Sequence, residues 1–134
     1  MTAFPLKIVT LDGLVYDGTA EELIVRSVNG DLGILAGHIN IVTALGMGRA
    51  TIVINGKKRY AACIGGMVSV VDGAVTLVPT TFEWAENIDQ ARAERAAENA
   101  KAILDKKDSS AAELQMAQAR LKRALVRTNV AKPM

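Results

Sequence analysis

Three places in the sequence carry side chains whose types and spacing could do chemistry. The first is Ile88-Asp89-Gln90-Ala91-Arg92-Ala93, a carboxylate and a guanidinium three residues apart. Read from the residues, this is a helix start: Asp89 is a carboxylate in a first turn, favoured by the helix dipole, and Arg92 can pair with it at a few tenths of a kcal/mol. The second is the row Arg120, Arg123 and Arg127, at i, i+3 and i+7, with Lys122 and Lys132 beside it and Glu113 as the one acid of that segment. One basic stripe suits a solvated face, an acidic partner surface or the phosphates of a nucleotide. The third is Gly30-Asp31-Leu32-Gly33-Ile34-Leu35-Ala36-Gly37-His38. A glycine-rich stretch before a helix can cradle phosphate, but no Lys-Ser/Thr follows and residues 39–45 read as strand. The segment is therefore expected to be an apolar-tipped loop whose glycines let backbone approach closely. His38 and Cys63 are the only residues of their types, too few for an ordinary metal site or a Cys/His nucleophile pair, so an independent enzyme is not expected.

Two sets of elements must position these residues. Between Phe4 and Val78, short apolar runs are punctuated by Asp12-Gly13, Asp17-Gly18, Asn29-Gly30, Asn55-Gly56 and Asp72-Gly73, pairs that tolerate the positive φ of tight hairpins. Residues 49–54 returning as 57–64, and 67–71 returning as 74–78, predict two hairpins within a sandwich or flattened barrel. Leu23-Ile24-Val25 and Ile52-Val53-Ile54 are apolar on consecutive residues. Such runs are central strands of a closed sandwich or strands with a partner on their second face. Pro79 is expected to end the last strand, with 80–86 as a connector.

From Asn87 the period changes to that of helices. Asn87 is the expected N-cap with Gln90 at N3, and the first helix runs to about Leu104. A polar loop, 105–110, contains Lys107; Ser110-Ala111-Ala112-Glu113 has capping-box spacing and starts a second helix that runs toward Val130, before Pro133. Ala93, Ala96/Ala97, Ala100 and Ile103/Leu104 share one face, as do Leu114, Ala117, Leu121 and Ala124/Leu125, which predicts an antiparallel hairpin. Burying an alanine methyl contributes roughly 0.5–1 kcal/mol against about 1.5–3 for a leucine, so the pair should close weakly and have two accessible arrangements.

The 134 residues carry 16 basic and 14 acidic side chains. Residues 1–84 hold six basic and seven acidic, a net of −1; residues 85–134 hold ten and seven, a net of +3. No nucleic-acid footprint follows from such a balance. One cysteine in an apolar run, no secretory leader and no apolar window of about 18 residues point to a reduced, cytosol-like setting without a membrane span.

The segment 30–38 is similar to the Gly-x-Leu-Gly-Ile-Leu-Pro-Gly-His signature of the ε subunit of bacterial F-type ATP synthases, followed by Ile41-Val42-Thr43-Ala44-Leu45. Gly65-Gly66-Met67-Val68-Ser69-Val70 resembles that family's Gly-Gly-Phe-x-x-Val segment. The resemblance covers essentially the whole chain. It implies a sandwich of about ten strands, residues 1–84, that binds the rotor's γ subunit and the c-ring, with Leu32, Gly33, Ile34, Leu35 and His38 in the contact loop. It implies a regulatory helical hairpin, residues 85–134, that inhibits ATP hydrolysis by setting Arg120, Lys122, Arg123 and Arg127 against the β (and α) subunits. It further implies ATP as a regulatory ligand, with no required cofactor, at Glu83, Ile88, Asp89, Arg92, Ala93, Arg123 and Arg127. The setting implied is the cytoplasmic face of a bacterial cell membrane, reached only through the complex. Two departures stand out: Ala36 replaces the usual proline, and Thr80-Thr81-Phe82-Glu83-Trp84 stands where smaller residues are common. A stand-alone nucleotide-sensing module is the alternative that the same residues leave open.

Overall fold

The computed structural model describes residues 2–106 and 108–132. Lys107, placed in the interhelical loop from sequence, and Pro133, placed beyond the second helix, lie outside the described residues. The chain divides into two compact units, Met1–Trp84 and Ala85–Met134.

The first unit holds strands β1 (Phe4–Thr10), β2 (Gly13–Ala20), β3 (Glu22–Ser27), β4 (Gly30–Ile34), β5 (Ile41–Ala44), β6 (Met47–Ile54), β7 (Lys57–Val71) and β8 (Ala74–Trp84). Two hairpins form where expected. Asn55 and Gly56 take φ of +52° and +76°, and Asp72 and Gly73 take +49° and +84°, so each two-residue turn has both central residues left-handed and matches the strand twist. Ile54 then faces Lys57, and Val71 faces Ala74.

Eight described strands replace the expected ten or so because β7 and β8 are longer than their turn residues suggest. Residues 57–64 and 67–71 are one strand, not the parts of two separate hairpins. Gly65 and Gly66, at φ of +67° and +97°, bend β7 while its ladder with β8 continues through Gly66 opposite Pro79. Nor does Pro79 end β8, which runs on to Trp84. The last residue of β8 paired with β1 is Leu77, so Pro79 begins an edge, where a missing N–H is tolerated. Asp17-Gly18 is likewise no turn: it pairs within β2 against Lys7 and Leu6. The glycine there makes room for a ring, since a Cβ would lie 2.8 Å from Oη of Tyr16, whose hydroxyl donates to the Thr19 carbonyl at 2.7 Å.

The bend makes two layers from one continuous ladder. Before it β7 pairs with β6, which leads to β3 and β4; after it β7 pairs with β5, while β8 leads to β1 and β2. Inward positions change phase at the same place, from Ala61 and Cys63 to Val68 and Val70, and both halves feed one core with Leu6, Ile8, Leu23 and Ile52. Within the consecutive runs Leu23, Val25 and Ile52 fill this core, while Ile24 and Ile54 are half-buried. Burial pushes the Cys63 thiol up to about 12, so it stays a protonated core side chain.

The second unit opens with a short 3-10 helix, Ala85–Asn87, followed by α1 (Gln90–Leu104) and α2 (Ala111–Ala131), which pack against each other. Ser110 and Glu113 form the expected capping box, with the Glu113 N–H donating to Ser110 Oγ at 3.1 Å. The buried residues of the pair are Ala93, Ala97, Ala100, Ala117, Ala124 and Val130; Ala96 is exposed, and Leu114 and Leu121 are only half-buried.

Gly66→Ala would place a Cβ against the Val78 carbonyl oxygen and 2.6 Å from Pro79 Cα, whereas a Cβ at Gly73 meets nothing within 4 Å. Urea denaturation should therefore show a loss of about 3 kcal/mol or more for Gly66→Ala but only about 1 kcal/mol for Gly73→Ala, which is strained by φ alone. Equal losses would remove the close approach as the reason for Gly66.

Candidate functional site

The start of α1 lies two residues later than the sequence expectation. Asp89, not Asn87, is the N-cap: its φ and ψ are −79° and 96°, and its Oδ1 accepts the Arg92 N–H at 3.0 Å. Asn87 instead closes the 3-10 helix, where the Ile88 N–H donates to the Ala85 carbonyl at 3.3 Å. Two candidate acceptors compete for the same orphan donors, and the carboxylate, which also complements the helix dipole, holds them. The contact between Asp89 and Arg92 thus runs through the Arg92 backbone; the expected side-chain ion pair is not formed among the described residues. One carboxylate oxygen caps the helix, and Oδ2 is left for another donor.

The remaining residues of this set sort by position. Ala93 is buried and donates its N–H to the Asp89 carbonyl at 3.0 Å, Ile88 is half-buried, and Arg92 is exposed. Arg120 and Lys122 are exposed on α2, while Arg123 and Arg127 are half-buried. Since α2 returns along α1 and touches the 3-10 helix, its late residues Arg123 and Arg127 come back toward the end where Asp89 and Arg92 begin α1. Glu83 is half-buried on β8, where it pairs with Ala62 in the sandwich unit.

The segment 30–38 is mostly strand rather than loop. Gly30–Ile34 pairs along β3, with Val25 opposite Leu32, Ile24 opposite Gly33 and Leu23 opposite Ile34. Ile34 is fully buried and Leu32 packs against the core, so both hold the fold and Ile34 offers nothing to a partner. The exposed tip shrinks to 35–38. Leu35 stands 51% exposed there, its carbonyl accepting the His38 N–H at 3.2 Å, and His38 Nδ1 lies 2.7 Å from the Ile39 carbonyl, which fixes the proton on Nδ1.

A surface the sequence reading did not single out crosses the outer face of the layer after the bend, the one that holds β5, β8, β1 and β2. Val28 donates its N–H to the Ala44 carbonyl, Ala44 pairs with Met67, Met67 pairs with Val78, and Val9, one residue past the Ile8 and Leu77 pair, faces Leu14. Val28 and Leu14 are 62% and 61% exposed, Met67 and Val78 49% and 46%, and neighbouring Val42 62%. A row of apolar side chains across five strands is more than the scattered exposure of an ordinary surface. Its signal was the consecutive apolar pairs Met67-Val68 and Leu77-Val78, which load both faces of a strand.

A sandwich with an apolar outer stripe, carrying a weakly self-packed helical arm with a basic row, defines an accessory subunit made to dock within a larger assembly. Residues 3–85 match the family described as ATP synthase, Delta/Epsilon chain, beta-sandwich domain, and residues 86–132 match its long alpha-helix domain. The chain belongs to the ATP synthase delta/epsilon chain family, whose epsilon chains are non-catalytic subunits of the central stalk. It is 37% identical over 132 residues to the ATP synthase epsilon chain of Shouchella clausii, covering 98% of this chain and 97% of that one. It is 39% identical over 131 residues to the one of Bacillus velezensis, covering 98% of each. Among solved structures it superposes with a TM-score of 0.82, at 25% identity, on a chain of the Euglena gracilis mitochondrial ATP synthase OSCP/F1/c-ring structure, covering 94% of this chain and 79% of that one. A chain of the Tetrahymena thermophila mitochondrial ATP synthase central stalk/c-ring structure shares the fold, with a TM-score of 0.67 at 12% identity over 96% of each. Among the described residues no helix is long and apolar enough to cross a membrane.

Proposed function

We propose that this chain couples proton transport to ATP synthesis as the rotor subunit that joins γ to the c-ring, on the cytoplasmic face of a bacterial membrane. The observation that carries this reading is the stripe Val28–Ala44–Met67–Val78 with Leu14, since it needs a partner face of matching width. A γ subunit supplies that face, and the exposed Leu35–His38 tip meets the c-ring. A stand-alone nucleotide sensor would have no use for such a stripe. Met67→Asp and Val78→Asp should each weaken γ binding about 30-fold or more, the effect of charging the desolvated centre of an interface, while Lys57→Asp at an exposed turn leaves it unchanged. Wild-type affinity in both stripe variants would sink the assignment.

The hairpin acts in this reading as a brake on ATP hydrolysis. Arg120, Lys122, Arg123 and Arg127 provide a cationic row for acidic segments of the β (and α) subunits, where bidentate guanidinium–carboxylate contacts form. ATP is the regulatory ligand that holds the hairpin closed: Oδ2 of Asp89 accepts from the adenine amino group, and Arg92, Arg123 and Arg127 meet the phosphates. The cap geometry shapes the test. Asp89→Asn keeps a good N-cap but swaps acceptor for amide, so it should leave the helix intact and abolish saturable ATP binding in calorimetry, as should Arg92→Ala. Undiminished binding in both would return Asp89 to a purely capping role.

A further inference from the structure

The sandwich unit ends on three interlocked side chains. Trp84, the last residue of β8 and the only tryptophan, packs against the core. The Arg59 guanidinium carbon sits 3.6 Å from its ring centroid, and Phe82 meets it edge-on, centroids 5.0 Å apart at 90°. The backbone beneath is held on one side only. Residues 81–84 pair with 61–64 of β7, but β1 leaves β8 at Leu77 and no described strand takes the other edge. A four-residue edge ladder opens at little cost unless side chains pin it. Here a cation over an indole face and an edge-to-face ring pair do the pinning. The helical unit begins at the very next residue, Ala85.

We propose that Arg59, Phe82 and Trp84 form a clamp that sets the pivot of the helical arm. Closed, it fixes the joint between Trp84 and Ala85. Open, it releases residues 81–84 from β7 and adds up to about 13 Å of tether, at roughly 3.3 Å per residue. Tether length governs which surfaces an arm can reach and at what effective concentration. The clamp therefore tunes the brake, and to that extent it rests on the reading of the hairpin as an inhibitor of hydrolysis.

Amide exchange on the full chain tests the clamp itself. Arg59→Ala and Phe82→Leu, chosen to spare the core, should speed exchange at 81–84 by about tenfold while residues 75–77 stay protected, and Arg59→Lys, which keeps a cation over the ring, should fall between Arg59→Ala and wild type. Unchanged exchange at 81–84 would overturn the proposal. The assembled synthase then tests the consequence. ATP hydrolysis should differ between Arg59→Ala and wild type, and the difference should vanish when residues 85–134 are deleted from both. If the deletion alone raises hydrolysis but Arg59→Ala does not, the brake stands and the pivot is wrong. If the deletion changes nothing, the brake reading fails, and exchange alone decides whether the clamp exists.

Discussion

Strand β7 belongs to both layers, and it can do so only because Gly66 carries no side chain. A Cβ there would run into the Val78 carbonyl and the Pro79 backbone, so the bend, the change of inward phase and the closure of the core all hang on one missing methyl. The same bend decides function-bearing features at a distance. It turns Met67 and Val78 outward onto one face, lining up the apolar stripe. It also carries β8 beyond β1, leaving residues 81–84 as a one-sided edge that Arg59 and the two aromatic rings must hold.

The two units differ in what holds them. In the sandwich, fully buried Leu6, Ile8, Leu23, Ile34, Ile52 and Leu77 meet across two layers, each contributing about 1.5–3 kcal/mol by burial. In the hairpin, five of the six buried side chains, Ala93, Ala97, Ala100, Ala117 and Ala124, are alanines that bury one methyl apiece. Alanine lowers the cost of forming each helix more than it rewards closing the pair. The two units are held by different amounts of buried surface because their core residues change size at the boundary between them.

Features set by local chemistry were readable in the sequence. Asn55-Gly56, Asp72-Gly73 and the Ser110/Glu113 box gave the right turns and helix start because each depends on residues three or fewer apart. The family signatures at 30–38 and 65–70 pointed to the right assembly, while the roles of single residues within them did not follow. Ile34 sits in a signature as if at a loop tip, but its pairing with Leu23 puts it in the core. Gly65-Gly66 and Pro79 look like breaks, and they mark a bend only because two strands far apart in sequence meet there. Asn87 and Asp89 are both sound caps, and the choice between them turned on where the preceding 3-10 helix ended. The outer stripe was legible only as doubled apolar residues, a pattern that central strands share.

The contrast between a tightly packed sandwich and an alanine-seamed arm is the central claim, and unfolding the full chain in urea with two probes tests it most directly. Far-ultraviolet circular dichroism follows α1 and α2, while pulse labelling of the buried Cys63 by a thiol reagent follows the sandwich core. The helical signal should be lost at lower urea than Cys63 becomes reactive, giving two transitions that do not coincide. Coincident curves with one midpoint would mean that the two units unfold as one cooperative body, and would contradict the account.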